Sequence, residues 1–458
     1  PRPGWVEHDP RAIWTSVEKG IAALMRKKLC KPSQIAAIGI TNQRETAVLW
    51  DRKSSDPLNN AIVWQCRRTT DFCENLKSAG HEKSVKRNSD LVLDPYFSPS
   101  KFRWLLKNTT GASRLIRSGR IAAGTVDSYL IWQLSAGQAH VTDVSNASRT
   151  SLMNLKTGNW DRQLCDLFEV PQRILPSIVP SSAVLAYTQG VNGLPDGIPI
   201  AGVAGDQQSA LFGQACFGAG DAKCTFGTGS FILMNTGAEL LQSRAGLLTT
   251  VAWQLGEKGK TVYALEGGAF VCGAAVQWLR DGLKIIKKAP DIEALAAQVQ
   301  DHDGVEFVPA LTGLGAPHWA PEARGTLSGL TRGTQLGHIA RATLDAMALQ
   351  NADILLAMES DLGKRMKPLR VDGGAAANNL LMQIQANVLG RQLIRPQVIE
   401  TTVAGACYLA GLGVGLWDSP AEVRKIWQVE RAFKVEMSAA ARRKRMGSWH
   451  KAIDRTLL

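Results

Sequence analysis

Thr41-Asn42-Gln43-Arg44-Glu45-Thr46 follows the short run Ile35-Ala36-Ala37-Ile38-Gly39-Ile40. The run is apolar and partly β-branched, so it reads as a strand over 35–41 buried on both faces, the pattern of a parallel sheet. At its end an Arg and a Glu stand side by side. Arg44 offers a fixed fork of donors and Glu45 only acceptors, which together suit a small uncharged polyol whose hydroxyls are both at once. A surface ion pair is the alternative, and it would add little to stability. Open parallel sheets present ligands at the carboxyl ends of their strands, which favours the functional reading.

A chain of 458 residues is longer than one hydrophobic core serves, so more than one domain is expected. The 45% hydrophobic and 20% charged residues are ordinary for a globular protein and exclude a disordered one. The net charge of +13 favours anionic ligands such as nucleotide phosphates. Nucleic acid is not expected, because the one dense basic run, Arg442-Arg443-Lys444-Arg445, lacks interleaved aromatics and reads as a solvated helix face. Eight cysteines without a CxxC pair fit reduced thiols in a cytoplasmic protein, most of them small core residues. Scattered histidines without HExxH give no metal motif, and no apolar run reaches membrane-spanning length.

Spacing predicts helices over 10–29, 69–79, 100–108 and 125–134, with a break at Tyr96-Phe97-Ser98-Pro99. Strands are expected at Leu49-Trp50, 61–64 and 198–203, the last ending at Gly205-Asp206-Gln207-Gln208. Asp143 to Thr150 reads as a polar loop. From about 212 the texture changes, and a domain boundary is placed there. Residues 223–234 read strand, tight turn, strand, followed by long amphipathic helices over 270–286 and 339–362. Leu369 to Gly374 is strand then turn, 378–389 a helix, and 402–416 a helix rich in Ala and Gly that another backbone can approach closely.

Several places could carry chemistry. Gly227-Thr228-Gly229 lets backbone N–H groups approach an anion, though such turns are common in structural roles. Val371-Asp372-Gly373-Gly374 leads into a helix whose N-terminus can face a nucleotide, while Asn378 serves equally as a plain N-cap. Neither GxGxxG nor a Walker loop occurs. Asp206, ending its strand, can accept a hydroxyl proton, hold Mg²⁺, or simply cap a helix. Cys66-Arg67-Arg68 reads as a phosphate site or an edge charge. Trp64, Tyr96 and Phe231 read as core aromatics or as a wall for a polyol's carbon face.

Together these segments resemble the glycerol kinases of the FGGY carbohydrate kinase family, from Gly4-Trp5-Val6-Glu7-His8-Asp9-Pro10 to about residue 433. The resemblance rests on 38–46, Val63-Trp64-Gln65-Cys66-Arg67-Arg68, Asp94-Pro95-Tyr96-Phe97-Ser98, Ala204 to Gln208, Thr312 to Pro317 and Val371 to Gly374, with family signatures at 96–107 and 327–345. It implies an α/β, two-domain actin/hexokinase-like ATPase fold of ribonuclease H-like domains. Residues 1–212 would be a glycerol-binding first domain, N-terminally truncated, and 213–458 a nucleotide-binding second. It implies phosphorylation of glycerol to sn-glycerol 3-phosphate by ATP. Arg44, Glu45, Trp64, Tyr96, Asp206, Gln207 and Phe231 would hold glycerol, with Asp206 as general base and Mg²⁺ ligand. Thr228, Gly273, Gln277, Gly374 and Asn378 would contact ATP. A homo-oligomer, dimer or tetramer, is also implied. Another polyol or sugar kinase of the family, and a non-catalytic ligand-binding descendant, remain as alternatives.

The family's N-terminal phosphate hairpin, close to DQGTTSSR, does not occur in residues 1–458. Ala320 replaces an Asp usual after the Pro-x-Trp of the Gly-Ala-Pro motif. Gly197 stands where an Arg binds an allosteric sugar bisphosphate in some members, so that inhibition is not expected, and 436–446 lacks the recognition stretch for a phosphotransferase-system regulator. If the polypeptide starts at Pro1, weak or no kinase activity is expected, whereas a longer product would be active. A kinase assay of residues 1–458 beside the same residues with the hairpin restored checks this, and equal turnover overturns it.

Overall fold

The computed structural model describes residues 2–458. Two sheets organise it. In the first, Pro199–Gly205 lies between Ser182–Tyr187 and Ile38–Asn42. It runs parallel to Ile38–Asn42 with Ala204 opposite Thr41 and Gly205 opposite Asn42. The two strands therefore end together, and the residues that follow, Arg44 and Asp206, emerge side by side at their carboxyl ends. The second sheet has seven strands in the order Leu248–Trp253, Val262–Ala269, Ser230–Gly237, Ala222–Phe226, Leu369–Asp372, Leu393–Pro396 and Val429–Phe433. Ala222–Phe226 pairs parallel with Leu369–Asp372, placing Thr225 opposite Asp372.

The largest apolar core backs this second sheet. It includes the 27-residue helix Leu336–Leu362, stopped by left-handed Gly363, and the helix Asn379–Leu389. The C-terminal helix Ala439–Thr456 docks through buried Trp449, whose Nε1 donates to Asp353 Oδ2 of the long helix at 2.6 Å. Arg443 and Lys444 are exposed as the basic run suggested, but Arg445 is not: it pairs with Glu306 at 2.7 Å.

The Ala/Gly-rich helix, Thr401–Gly413, crosses the helix Asp206–Gly213 with backbone close against backbone. A Cβ on Gly405 would lie 1.9 Å from Ser209 O, and one on Gly213 would lie 1.9 Å from Thr401 O. The same helix lies flat on the first sheet, where a Cβ on Gly39 would meet Ala406 O at 2.3 Å. Only side chains of one hydrogen atom allow this packing.

Most expected elements occur, displaced by a few residues. The first helix is Pro10–Arg26, capped by the Asp9 carboxylate, and the first expected strand is Ile38–Asn42. The helix after Tyr96 starts at Ser98, with Pro99 in its first turn where no N–H is needed. Asp143–Thr150 is not a loop. Asp143 accepts from the N–H groups of Ser145 and Asn146 and so starts the short helix Val144–Ser148. Residues 270–286 do not form one long helix. The strand Val262–Ala269 runs up to the edge of that span, and the helix is only Gly273–Asp281, ended at Gly282. Six of the eight free cysteines, all but Cys30 and Cys407, are buried. No helix among the described residues is long and apolar enough to cross a membrane.

The helix crossing gives a measurable contrast. Gly405→Ala is expected to destabilise by about 1–3 kcal/mol or more, because overpacking two backbones cannot be relieved by a rotamer change. Gly447→Ala, at a helical position with open space around it, is expected to stabilise by up to about 1 kcal/mol. Urea unfolding midpoints of the two variants check both signs.

Candidate active site

The paired strand ends bring Arg44 and Asp206 into contact, with Arg44 Nε 3.1 Å from Asp206 Oδ1. The rest of the Arg44 fork is already engaged. Nη1 and Nη2 donate to Glu266 at 2.6 and 2.9 Å, a bidentate pair, and Nη1 also reaches Gln208 Oε1 at 3.3 Å. Glu266 belongs to Val262–Ala269 of the second sheet, so this pair joins the two halves of the molecule. Glu45 sits at φ +58° and accepts from Arg149 Nε at 2.7 Å, and Arg149 Nη2 reaches Glu266 at 3.1 Å. The result is a chain of two arginines and two glutamates, all nearly excluded from water.

Arg149 is held in place by its short helix. Asn146 exchanges two amide hydrogen bonds with Asn42 at the strand end, at 3.0 and 3.1 Å, and Ser145 Oγ accepts from Gly205 N at 3.0 Å. The helix is thereby pinned to both strand ends, and Arg149 follows it.

Electrostatics follow the geometry. Burial alone would raise the Glu266 carboxyl, but Arg149 and Arg44 outweigh it and bring it down to about 2. Burial pushes the Glu45 carboxyl up against the pull of Arg44 and Arg149. Asp206 differs from both: its side chain is 35% exposed. Its Oδ1 accepts from Arg44 and from the Gln207 backbone at 2.8 Å, and its Oδ2 has no hydrogen-bond partner among the described residues.

An aromatic wall stands beside this chain. Trp64 meets Tyr96 edge to face at 5.5 Å and Phe231 at 6.5 Å, and the Arg149 guanidinium lies 5.9 Å from the Tyr96 ring centre. Behind Tyr96, buried Lys101 donates to the Tyr96 and Phe97 carbonyls at 2.6 and 2.8 Å, and burial drives its pKa down to about 7. Lys223 links the wall to the strand ends, donating to Gln207 Oε1 and, at 3.4 Å, to Phe231 O. The structure thus gathers Arg44, Glu45, Trp64, Tyr96, Asp206, Gln207 and Phe231 into one contact network.

The glycine turns form a second cluster. Cys272 N and Ala274 N both donate to Thr228 O at 2.9 Å, and Gly273 N donates to Gly227 O at 2.9 Å, so the Gly227-Thr228-Gly229 turn rests on the start of Gly273–Asp281. Gly373, at φ +85°, packs where a Cβ would lie 2.6 Å from Phe226 O, which brings Val371 to Gly374 against the same turn. A Cβ on Gly374 would point into open space, and Gln277 is exposed. Asn378 caps its helix, accepting from Leu381 N at 2.8 Å. Cys66-Arg67-Arg68 is structural: Arg68 pairs with Glu7 at 2.7 Å and stacks 3.8 Å from the Trp5 ring centre.

Sequence reading missed Arg149, Glu266, Lys101 and Lys223. For Glu266 and Lys223 a signal existed, since each is the lone charge in an apolar strand and such a charge needs a buried partner. Arg149 was hidden by the loop reading of 143–150.

Comparison with known proteins covers the whole chain. The model for the N-terminal domain of the FGGY family of carbohydrate kinases matches residues 1–213, and that for the C-terminal domain matches 222–414. A glycerol kinase of Bdellovibrio bacteriovorus is 59% identical over 99% of this chain and 92% of its own length. One of Myxococcus xanthus is 54% identical over the same shares. The crystal structure of Plasmodium falciparum glycerol kinase with ADP superposes with a TM-score of 0.94 at 36% identity, over 100% of this chain and 91% of that one. A xylulose kinase of Lactobacillus acidophilus, at 22% identity and a TM-score of 0.85, shares the fold. With both domain models matched and relatives this similar along its length, the chain belongs to the FGGY family of carbohydrate kinases, with their two-domain actin/hexokinase-like fold.

Proposed function

We propose that the protein is an ATP-dependent kinase that phosphorylates glycerol to sn-glycerol 3-phosphate. The carrying observation is the full-length similarity to glycerol kinases at 59% and 54% identity, joined to a site of the matching chemistry. Donors and acceptors alternate beside an aromatic wall, as a small triol requires. Arg44, Glu45, Tyr96 and Gln207 would orient the hydroxyls, with Trp64 and Phe231 against the carbon face.

Asp206 Oδ2 would take the proton of the terminal hydroxyl. Its Oδ1 is fixed by Arg44 and by the Gln207 backbone, so the open oxygen is held in one direction. The freed hydroxyl oxygen forms a bond to the terminal phosphorus of ATP, the bridging P–O bond breaks, and ADP leaves. Thr228, Gly273, Gln277, Gly374 and Asn378 would cradle ATP, with the open space at Gly374 admitting phosphate oxygens close to backbone. Mg²⁺ supplies charge neutralisation at the phosphates when bound. Among the described residues no three His, Cys, Asp or Glu side chains gather as a protein cage. A Mg²⁺ carried by phosphates and water needs only a carboxylate or two, and Asp206 would be one. A division near residue 212 belongs to the same proposal, as do a cytoplasmic location, suggested by eight free cysteines, and a homo-oligomer.

Three results would test this reading. A coupled assay of the polypeptide carrying the phosphate hairpin is expected to show turnover on glycerol well above that on xylulose or gluconate; glycerol binding by calorimetry without MgATP binding would favour a non-catalytic descendant instead. Asp206→Asn is expected to lower kcat by about 10²- to 10⁴-fold while glycerol binding changes far less, because the amide keeps one acceptor oxygen for Arg44 but cannot take the proton. Glu266→Gln is expected to cost about 3–5 kcal/mol at pH 7, since Arg44 and Arg149 lose a buried counter-charge. The sign with pH follows from the lowered carboxyl: its stabilisation is complete above the unfolded value of about 4.3 and is lost as pH falls toward 2. Urea curves of wild type and variant at pH 7 and pH 3 should therefore converge on acidification.

A further inference from the structure

Lys223 is a buried ammonium without a part in the transfer chemistry above. It lies in the strand Ala222–Phe226 and has no exposed surface. Its Nζ donates to Gln207 Oε1, to Thr225 Oγ1 at 2.8 Å and to Phe231 O at 3.4 Å. Burial lowers its pKa, and Asp372 and Asp206 are carboxylates that oppose the shift.

An ammonium carries three donors and no acceptor, so whatever faces it must be an oxygen. The Gln207 amide is therefore fixed: Oε1 is turned to Lys223 and the NH₂ is turned away. Gln207 retains 9% of its surface, and its Nε2 has no partner among the described residues. That NH₂ is the unspent donor next to Asp206, whose Oδ2 is the unspent acceptor.

We propose that Lys223 is a positioning residue that locks the Gln207 amide with its NH₂ toward the substrate, so that position 207 donates to one polyol hydroxyl while position 206 accepts from another. This deepens the glycerol kinase reading and rests on it. The ammonium also anchors the Phe231 carbonyl, so the aromatic wall and the polar row are held by one atom. A neutral side chain at 223 would free the amide to rotate and present its oxygen, and the site would lose its sense of which hydroxyl donates.

The test is a cycle of Lys223→Met, Gln207→Met and the double variant, assayed on glycerol, propane-1,2-diol and propane-1,3-diol. In the wild type at least one diol should fall below glycerol in kcat/KM by about tenfold or more, the worth of a hydrogen bond to an unpaired site group. Lys223→Met should raise the KM for glycerol by about tenfold, leave the KM for ATP within about twofold, and reduce the discrimination against that diol to the Gln207→Met level. The double variant should be no worse than Gln207→Met, and Lys223→Arg should recover part of the loss. Additive losses in the double variant, or wild-type discrimination in Lys223→Met, overturn the proposal. Should Lys223→Met fail to fold, Gln207→Glu keeps the buried charge paired yet supplies no donor; it should lose the same discrimination, and unchanged discrimination overturns the proposal. Wild-type turnover on glycerol is read first, with the phosphate hairpin of the family present on the polypeptide in which all variants are made: its absence there removes the parent reading and this proposal with it, whereas full turnover with additive variants removes this proposal alone.

Discussion

The structure depends on burying Arg44, Arg149, Glu45 and Glu266 together. Each charge taken from water costs several kcal/mol, and the cost is offset only where the opposite charge is met at hydrogen-bond distance. Here that condition ties distant parts of the chain. Arg44 and Glu45 come from the end of Ile38–Asn42, Arg149 from the helix Val144–Ser148, and Glu266 from the far sheet. No one of these segments can fold with its charge unpaired, so the four elements are committed to one arrangement. The Arg44–Glu266 fork at 2.6 and 2.9 Å is the tightest of these ties, and it is the one that crosses between the sheets.

Such a tie works only if the two sheets approach closely, and small residues make that possible. The helices Asp206–Gly213 and Thr401–Gly413 cross between them with backbone against backbone at Ser209, Gly213 and Gly405. Asp372 fastens the same junction from the second sheet. Its Oδ2 accepts from Gln214 at 2.7 Å, just past the first helix, and from Thr401 at 2.6 Å, at the start of the second. The strand carrying Asp372 then turns through Gly373 and Gly374. On the proposed function, the polyol side and the nucleotide side would share one joint, which is what in-line transfer between two bound molecules requires.

How far the sequence revealed this follows from the physics of each signal. The parallel strands and their terminal Arg44 and Asp206 were readable because apolar runs and polar strand ends are local patterns. The close approach of the Thr401–Gly413 helix was readable for a similar reason, since Ala and Gly at successive turns have few other uses. The partners of the buried charges were not readable, because pairing is set by tertiary contacts more than 100 residues apart. The loop reading of 143–150 failed on the same ground: Ser and Asn weaken a helix when their side chains compete for the backbone, but here Asn146 spends its amide on Asn42. The helix at 273 starts later than its apolar pattern because three successive N–H groups there are committed to the Gly227-Thr228 turn.

The charges also suit the proposed chemistry when counted as a unit. Arg44, Arg149 and Lys223 are three cations in one contact network, and Glu45, Glu266 and Asp206 are three anions. The unit is neutral while the triol is bound with its protons. When Asp206 takes a proton from the hydroxyl, one anion is removed and the unit becomes net positive by one charge. That change falls beside the oxygen that becomes negative and the phosphoryl group moving onto it. Because Arg44, Arg149, Glu45, Glu266 and Lys223 are buried, the field of that extra charge is less screened than in open water and comes from groups already in place. The arrangement thus favours the transferring state over the bound state, which is the differential stabilisation that accelerates a reaction. It works because Arg44, Arg149, Glu45 and Glu266 are locked by one another, and Lys223 by the oxygens of Gln207, Thr225 and Phe231, so that none can swing to cancel the change.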